Sequence, residues 1–300
     1  MSRKRVHGID QKGMQEMAEP LEQVLVQAKE GNKLALEQVI GLIQERIYNL
    51  ALRMLANPSE AEDATQEILI KVITHLGTYQ GESAFTTWVH RIAVNHLLTL
   101  TRQADRHLTF TQLGQQLETS LTLSSPDVAE EVVDELLVEE VRRSCTLGML
   151  LCLGREQRIV IILGELFGVT SEEGGAILAI TPETFRKRLS RARTELVAFV
   201  AQRCGIVNPA SPCRCHKHVQ TSIAAGTLDP HHLSYATTQD GSSQQQLLMA
   251  QQQELDTVCR TAALLRAHPA YTPSVSLVAT LQDWLTNPTS QLLENTMVTG

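Results

Sequence analysis

The cysteines and histidines that follow position 203 are the side chains of this sequence best suited to hold a metal ion. Cys204, Cys213, Cys215, His216 and His218 lie close together along the chain. Zinc in proteins takes four thiolate or imidazole ligands in a tetrahedron, usually from two short-spaced pairs. The pairs here, Cys213 with Cys215 and His216 with His218, are more closely spaced than usual. Two interpretations stay open: a metal or redox site formed by Cys204, Cys213, Cys215 and His218, and a packed cysteine loop without chemistry.

Positive charge is concentrated on one predicted helix, although the whole chain has a formal net charge of −7. Thr181 as N-cap and Pro182 in the first helical position predict where this helix begins. A short helix before it and the tight connection through Ala179 and Ile180 give helix-turn-helix proportions, in which the second helix reads the major groove. The candidate DNA-contacting residues are Thr184, Arg186, Lys187, Arg188 and Arg191. Arg193 is expected to pair with an acid, and a basic solvated face without a DNA partner is the alternative.

A third group of polar residues lies on a predicted helix in the first half of the chain. Asp63, Gln66 and Glu67 occupy positions i, i+3 and i+4 and therefore share one exposed face, while Ala64 and Ile68 point inward. Taken alone, this would be only a solvated helix face.

Helices must position these three groups. The chain is 43% hydrophobic but only 4% aromatic, and Leu, Ala, Glu and Gln recur, so an all-α fold is predicted. Apolar spacing predicts two helices that are broken near Gly31, a third capped by Ser59 and a fourth capped by Ser83. The buried residues of the third helix would be Ala64, Ile68, Val72 and Ile73, and those of the fourth Phe85, Trp88, Val89, Ile92 and Ala93.

The second half is predicted to contain a linker, a helix-turn-helix unit and an extension. The helical period is lost from Gln103 to about Leu123, and residues 127–140 contain seven acids and no base. A second helical unit is expected to begin near Arg155 and to break at Gly168, with Ser171 capping its short helix. Amphipathic stretches recur at 247–265 and 277–285. The predicted division is an N-terminal tail (1–20), a four-helix domain (21–103), an acidic linker (104–144), a helix-turn-helix domain (145–203) and a Cys-containing C-terminal helical extension (204–300).

Some classes of protein are disfavoured by what the sequence lacks. No apolar stretch has the length of a signal peptide or a membrane span, so we expect a cytoplasmic protein without membrane insertion. No nucleophile–base arrangement, phosphate-cradling glycine loop or pair of catalytic carboxylates is recognisable. The protein is therefore not expected to be an enzyme.

Two separate blocks of sequence resemble the extracytoplasmic-function (ECF) group of bacterial RNA polymerase sigma factors. The stretches 61–69, 79–89 and 91–95 resemble the second conserved region of that family, and 153–158 with 184–193 resemble the fourth. The resemblance implies that Asp63, Gln66 and Glu67 dock on core polymerase. It implies that Phe85, Trp88 and Asn95 open and read the minus-ten promoter element, although Trp88 also lies on the apolar stripe of its helix. The basic residues of the helix-turn-helix would read the minus-thirty-five element.

The sequence departs from the family pattern in the fourth region. Gly154 stands where the family usually has Pro, and Gly174-Gly175 stands where it has an Ile-Ala pair. Glycines inside a helix cost about 1 kcal/mol each relative to Ala, so this half is expected to be loosely folded alone.

The resemblance implies a sigma factor that binds core RNA polymerase and promoter DNA in two helical domains, the first of them promoter-opening. It implies no required cofactor, leaves zinc open and leaves open whether an anti-sigma factor exists. The rival functions are a stand-alone helix-turn-helix regulator and a metal- or redox-sensing regulator based on Cys204 to His218. The extension would either pack on the sigma domains or bind a partner.

Overall fold

The fold of this chain is known from a computed structural model, which describes residues 18–103, 108–123, 134–236 and 257–273. Within these ranges the chain is built of helices, and the only extended pairing is an isolated bridge between Cys204 and Cys213. The predicted all-α class is confirmed. Among the described residues, no helix is both long and apolar enough to cross a membrane.

Four helices form the first module: α1 (Ala18–Lys29), α2 (Lys33–Leu55), α3 (Pro58–Thr74) and α4 (Phe85–Gln103). Asn32 caps α2 by accepting a hydrogen bond from the Ala35 amide, and Ala56, at φ 52°, ends it. The predicted cap of the third helix was wrong. Asn57, not Ser59, accepts from the Glu60 amide, because Pro58 already occupies the first helical position.

The cores of α3 and α4 follow the predicted apolar faces. The α3 residues Ala64, Ile68, Val72 and Ile73 are all buried, as are Phe85, Val89 and Ala93 of α4. Trp88 and Ile92 are partly buried against the same core. The first turn of α4 begins at Ala84, whose carbonyl accepts from the amides of Thr87 and Trp88.

The segment predicted to be an irregular linker contains a helix, α5 (Phe110–Leu123). Thr109 and Gln112 form a reciprocal cap: the Gln112 amide donates to Thr109 Oγ1 at 3.2 Å, and the Thr109 amide donates to Gln112 Oε1 at 2.9 Å. A Thr followed three residues later by Gln is a readable start signal that the sequence prediction missed. Leu113 and Gly114 of α5 are buried, and the Phe110 ring packs 5.0 Å from that of Phe199.

The second module contains α6 (Glu135–Leu151), α7 (Arg155–Ile161) extended by a π turn (Ile162–Leu166), α8 (Ser171–Leu178) and α9 (Pro182–Arg203). The predicted cap of α8 was also wrong. Thr170, not Ser171, forms a capping box with Glu173. Thr181 caps α9 as predicted, by accepting from the Thr184 amide. Because α6 begins at Glu135, a helix crosses the predicted linker boundary at 144; the domain division stays a prediction.

The paired glycines of α8 have a role that the sequence prediction did not include. A Cβ on Gly174 would lie 2.3 Å from the Phe185 ring, and one on Gly175 would lie 2.8 Å from the Ile180 carbonyl oxygen. Phe185, on α9, is only 1% exposed, so the ring has no room to move away. The glycines therefore allow α8 and α9 to approach closely, which compensates for their low helix propensity.

The described part of the extension consists of a loop from Cys204, a 3-10 turn (Cys215–His218), α10 (Val219–Ala224), residues 225–236 and α11 (Thr257–Arg266) with 267–273. Helix α11 lies within the predicted amphipathic stretch 247–265 and buries Leu264 and Leu265. The stretch predicted at 277–285 lies outside the described residues.

The two modules pack against each other and share one hydrophobic core. Arg158 of α7, 5% exposed, joins them: it donates to Met54 O at the end of α2 (2.6 Å) and to Leu150 O (3.0 Å), Leu151 O (3.1 Å) and Leu153 O (3.1 Å) at the end of α6. Burial lowers the pKa of Arg158 to about 10, so it stays charged at neutral pH. A cation at two helix C-termini satisfies carbonyls that have no partner within their helices.

Replacing Gly174 with Ala should destabilise the protein by about 1–3 kcal/mol, because the added methyl group overlaps a buried ring. The matched control is Gly41→Ala in α2, where a Cβ meets nothing within 4 Å, and this change should stabilise by about 0.5–1 kcal/mol. Thermal unfolding followed by circular dichroism measures both. Equal stabilisation by the two substitutions would show that the close approach of α8 and α9 is wrong.

Candidate nucleic-acid interface

The first half of α9 presents the predicted minus-thirty-five residues on an accessible surface. Arg186 donates to Ser171 Oγ at 3.0 Å and lies 3.7 Å from Glu172, and Lys187 pairs with Glu183 at 2.7 Å. All these ion pairs are exposed, so each contributes little and is readily exchanged for a phosphate contact. Thr184 is half-buried in the first turn of the helix.

Further along α9, the three arginines have different surroundings. Arg188 is 33% exposed and pairs with Glu156 at 3.0 Å, whereas Arg191 is exposed. Arg193 pairs with an acid, as predicted, and that acid is Glu165, which is 6% exposed. Arg193 is therefore tied to a buried acid although its side chain stays 46% exposed, and the basic side chains without such a tie are Arg186, Lys187, Arg188 and Arg191.

The predicted polymerase-docking face of α3 is accessible. Asp63 and Glu67 are exposed and Gln66 is half-buried, while Ala64 and Ile68 lie in the core. Glu67 lies 3.5 Å from Nε2 of His96, a buried residue of α4. His96 Nδ1 is in turn 2.6 Å from the Lys71 ammonium. Burial and the Lys71 charge lower the pKa of His96, so its neutral form is favoured.

The three predicted minus-ten residues differ in exposure: the Phe85 ring lies in the core, the Trp88 ring is half-buried and the Asn95 amide is exposed. Phe85 is 5% exposed and packs at 5.9 Å from the half-buried Trp88 in a stacked arrangement. Tyr79, which the sequence reading missed as a site residue, packs at 5.4 Å from Phe85 and 5.5 Å from Trp88. Asn95 is exposed two helical turns after Trp88, and Arg91 lies between them on the same face. Phe85 therefore supports this face from inside, and Trp88 and Asn95 form it.

That face of α4 lies beside the first helix of the helix-turn-helix. Arg91 Nη2 donates to Ala176 O of α8 at 2.9 Å. The His90 ring lies 5.8 Å from that of Phe167, and burial lowers the pKa of His90 to about 4. The helix predicted to read the minus-ten element is thus in contact with the first helix of the helix-turn-helix, which packs against the recognition helix α9.

The cysteine loop packs on the end of α9. Asn208 Nδ2 donates to Ala201 O (2.7 Å) and Ser211 Oγ to Gln202 O (3.0 Å), so the loop satisfies terminal carbonyls of that helix. Gly205 is required here, since a Cβ would lie 2.2 Å from Cys213 O. The isolated bridge then places Cys204 next to Cys213.

The predicted metal ligands lie near one another, but the described side chains do not form a complete coordination site. Cys213 Sγ lies 3.2 Å from His218 Nε2, and His218 Nδ1 is 2.8 Å from Ser120 Oγ. Cys145 of α6, which the sequence prediction did not include, lines the same cavity as Cys204, Cys213 and Cys215, and burial, followed by these thiols, raises its pKa. In the ranges that the structure describes, no three His, Cys, Asp or Glu side chains are placed to hold a metal ion. Zinc binding stays a prediction.

Comparisons with known proteins identify the class of protein that carries these surfaces. The family model for Sigma-70 region 2 matches residues 40–107, and that for Sigma-70, region 4 matches residues 143–196. The chain is 33% identical over 175 residues to the ECF RNA polymerase sigma factor SigW of Bacillus subtilis, covering 57% of this chain and 91% of the relative. It is 30% identical over 183 residues to the ECF RNA polymerase sigma-E factor of Escherichia coli, covering 59% and 93%.

Two solved structures are also similar. One is CnrH in complex with the cytosolic domain of CnrY (20% identity, TM-score 0.43, covering 59% of this chain and 94% of that one). The other is the sigma factor RpoE in complex with the anti-sigma factor NepR from Bartonella quintana (22% identity, TM-score 0.39, covering 54% and 94%).

The two family models define a sigma-70-type protein, and each predicted block of the sequence lies inside one of them or overlaps it. With relatives of this identity and coverage, the chain belongs to the ECF RNA polymerase sigma factors. The resemblance seen in the sequence is confirmed. Residues after 196, including the cysteine loop and α11, lie outside both family models.

The thiols of Cys213 and Cys215 should react slowly in metal-free protein. Burial and the neighbouring thiols raise the pKa of Cys213 to about 11 and of Cys215 to about 12, so the thiolate fraction at pH 7.5 falls by about a hundredfold or more. Alkylation followed by mass spectrometry in the presence of EDTA should modify the exposed Cys259 first. Equal rates at the three positions would contradict the burial of the loop. Retention of zinc after dialysis, lost in Cys213→Ser, would support the metal site.

Proposed function

We propose that this chain directs promoter-specific transcription initiation through three surfaces: the α3 face for core polymerase, the Trp88–Asn95 face for the minus-ten element and the basic α9 face for the minus-thirty-five element. The observation that carries the proposal is that the two sigma-70 regions occur in order and the polar candidate residues of both are accessible. The protein acts as a binding subunit in the cytoplasm, where polymerase is, and supplies no catalytic chemistry of its own.

Duplex recognition is assigned to α9. Its first turn carries Thr184, and its exposed side carries Arg186, Lys187 and Arg191, with Arg188 partly exposed beside Glu156. An arginine that forms a bidentate contact with a guanine edge gives about 1–3 kcal/mol of discrimination. The remaining basic side chains contact phosphates, which sets the position of the helix in the groove.

Single-strand recognition is assigned to the α4 face. An unstacked base needs a flat surface and a polar group that reads its edge. Trp88, half-buried against Tyr79 and Phe85, supplies the first, and the exposed Asn95 amide supplies the second. Phe85 contributes from below, because it is too buried to meet a base itself.

The alternatives are less well supported. A stand-alone helix-turn-helix regulator has no use for a sigma-70 region 2, and a metal sensor would need a donor set that the described residues do not present. An anti-sigma partner is compatible with the accessible α3 and α9 faces, but the function does not require one.

Substitutions on the two promoter-reading surfaces should reduce transcription initiation through different promoter elements. With bacterial core polymerase, run-off transcription should fall about tenfold for Arg188→Ala, by loss of an interaction with the minus-thirty-five element, and about tenfold for Asn95→Ala, by loss at the minus-ten element. Lys33→Ala, an exposed change on α2, is the control and should leave initiation unchanged. Promoter fragments with a mutation in one element show which element each variant reads. Mutation of the minus-thirty-five element should not reduce initiation by Arg188→Ala any further, and mutation of the minus-ten element should not reduce initiation by Asn95→Ala any further. Full initiation by Arg188→Ala and Asn95→Ala would refute these residue roles.

Core binding should depend on the α3 face. The double variant Asp63→Asn, Glu67→Gln should bind core polymerase about tenfold more weakly at low salt, because two exposed charges at an interface are lost. Glu30→Gln, exposed at the end of α1, removes a charge away from this face and serves as the control. Fluorescence anisotropy of the labelled protein measures both, and equal affinities would remove α3 from the polymerase interface.

A further inference from the structure

The extension makes buried polar contacts with the first module. Asn49 of α2 exchanges two hydrogen bonds with the backbone of Tyr271: Asn49 Nδ2 donates to Tyr271 O at 2.6 Å, and the Tyr271 amide donates to Asn49 Oδ1 at 2.9 Å. Arg53 donates to Pro269 O at 3.2 Å and lies 5.4 Å from the Tyr271 ring centre. All three side chains are at most 7% exposed. An amide and a guanidinium on the inner face of α2 thus obtain part of their hydrogen bonding from the extension, beside the bonds that they make within α2 to Glu45 O and Asn49.

The extension also holds the second module, through Glu140 of α6. This carboxylate is 6% exposed and accepts hydrogen bonds from the amides of Ser234 (2.8 Å), Tyr235 (2.8 Å) and Ala236 (2.6 Å). The Tyr235 hydroxyl donates to Ala56 O, at the end of α2, at 2.9 Å. One turn of the extension thus joins α6 to α2, which belong to different modules.

Helix α11 provides a second attachment. Arg266 donates to Glu165 O at 2.8 Å and pairs with Glu165 Oε2 at 3.0 Å. Glu165 also pairs with Arg193 of α9, so α11 and the recognition helix share one buried acid. From α11 the chain continues directly to Pro269 and Tyr271 on α2. The extension therefore bridges the modules at two places.

The arrangement that these contacts hold is unsuited to a promoter. The minus-ten and minus-thirty-five elements are roughly 25 base pairs apart, which is about 85 Å of duplex at 3.4 Å per step. Here Arg91, on the minus-ten face, is hydrogen-bonded at 2.9 Å to Ala176 of the helix-turn-helix. Both elements can be read at once only after the modules separate.

We propose that residues 204–236 and 257–271 form an autoinhibitory clasp, which adds to the shared core in keeping the two promoter-reading modules packed together until the contacts at Glu140, Glu165 and Asn49 are released. The clasp rests on the proposed function, since it regulates the same two surfaces. It also accounts for the burial of Glu140, an acid of the predicted linker, because that carboxylate holds the extension. Cutting the clasp removes one set of contacts between the modules, beside their shared core and the Arg158 bond to Met54 O, without altering any residue assigned to DNA or polymerase.

The test uses the full-length chain with Glu140→Gln and Arg266→Ala combined. Each change removes a charged hydrogen-bonding group, and together they should shift the closed-to-open ratio by at least about tenfold. Small-angle X-ray scattering should give a larger radius of gyration than the wild type. Run-off transcription with core polymerase at limiting protein should rise by about tenfold. His232→Ala, an exposed change whose ion pair with Asp229 stays within the extension, is the matched control and should change neither.

Tyr235→Phe is a milder second variant, which tests the clasp if the double variant unfolds. It removes one hydroxyl and its bond to Ala56 O and should raise initiation about threefold. The clasp would be overturned if the wild type, the double variant and Tyr235→Phe had the same radius of gyration and the same level of run-off transcription. Expansion of the variants without initiation by any protein would support the clasp and count against the proposed function, so the two failures are distinguishable.

Discussion

The guanidinium of Arg158 lies where the two helical modules meet, and the rest of the fold is arranged around it. It donates to carbonyls at the ends of α2 and α6, which have no partners within their own helices. A buried cation must be satisfied or it costs several kcal/mol, so the ends of both helices are fixed relative to α7. That constraint sets the position of the helix-turn-helix, because α8 and α9 follow directly from the π turn that ends α7.

Buried polar groups also explain how a segment outside the sigma-70 regions is attached. Asn49, Glu140 and Glu165 are each largely removed from water, and each completes its hydrogen bonding with residues in the ranges 234–236 and 266–271. An unpaired buried charge or amide costs free energy of folding. These contacts therefore favour one alignment of the extension on the two modules, which apolar packing alone would not select.

Several sequence predictions failed where a neighbour in space determined the outcome. From the sequence, Gly174 and Gly175 were expected to destabilise their helix. In the structure, Phe185 and the Ile180 carbonyl occupy the space that a side chain at these positions would need. The predicted acidic linker carried no sign that any of its acids would be buried, yet Glu139 and Glu140 are buried against partners. The missed helix α5 and the misplaced caps at Asn57 and Thr170 are different: their signals were local and readable in the sequence.

The sequence by itself determined the helical class, the order of the two family blocks, the helix-turn-helix and the accessible faces at Asp63 and Arg186. These depend on periodicity, caps and composition, which act within a few residues along the chain. Only the tertiary structure decided that Cys145 lines the same cavity as the cysteine loop, that Arg193 pairs with Glu165, and that residues 234–236 hold α2 and α6 together. Such pairings join residues from about 28 to 222 positions apart, as Arg193–Glu165 and Asn49–Tyr271 illustrate, and no local pattern encodes which partner a buried polar group will find.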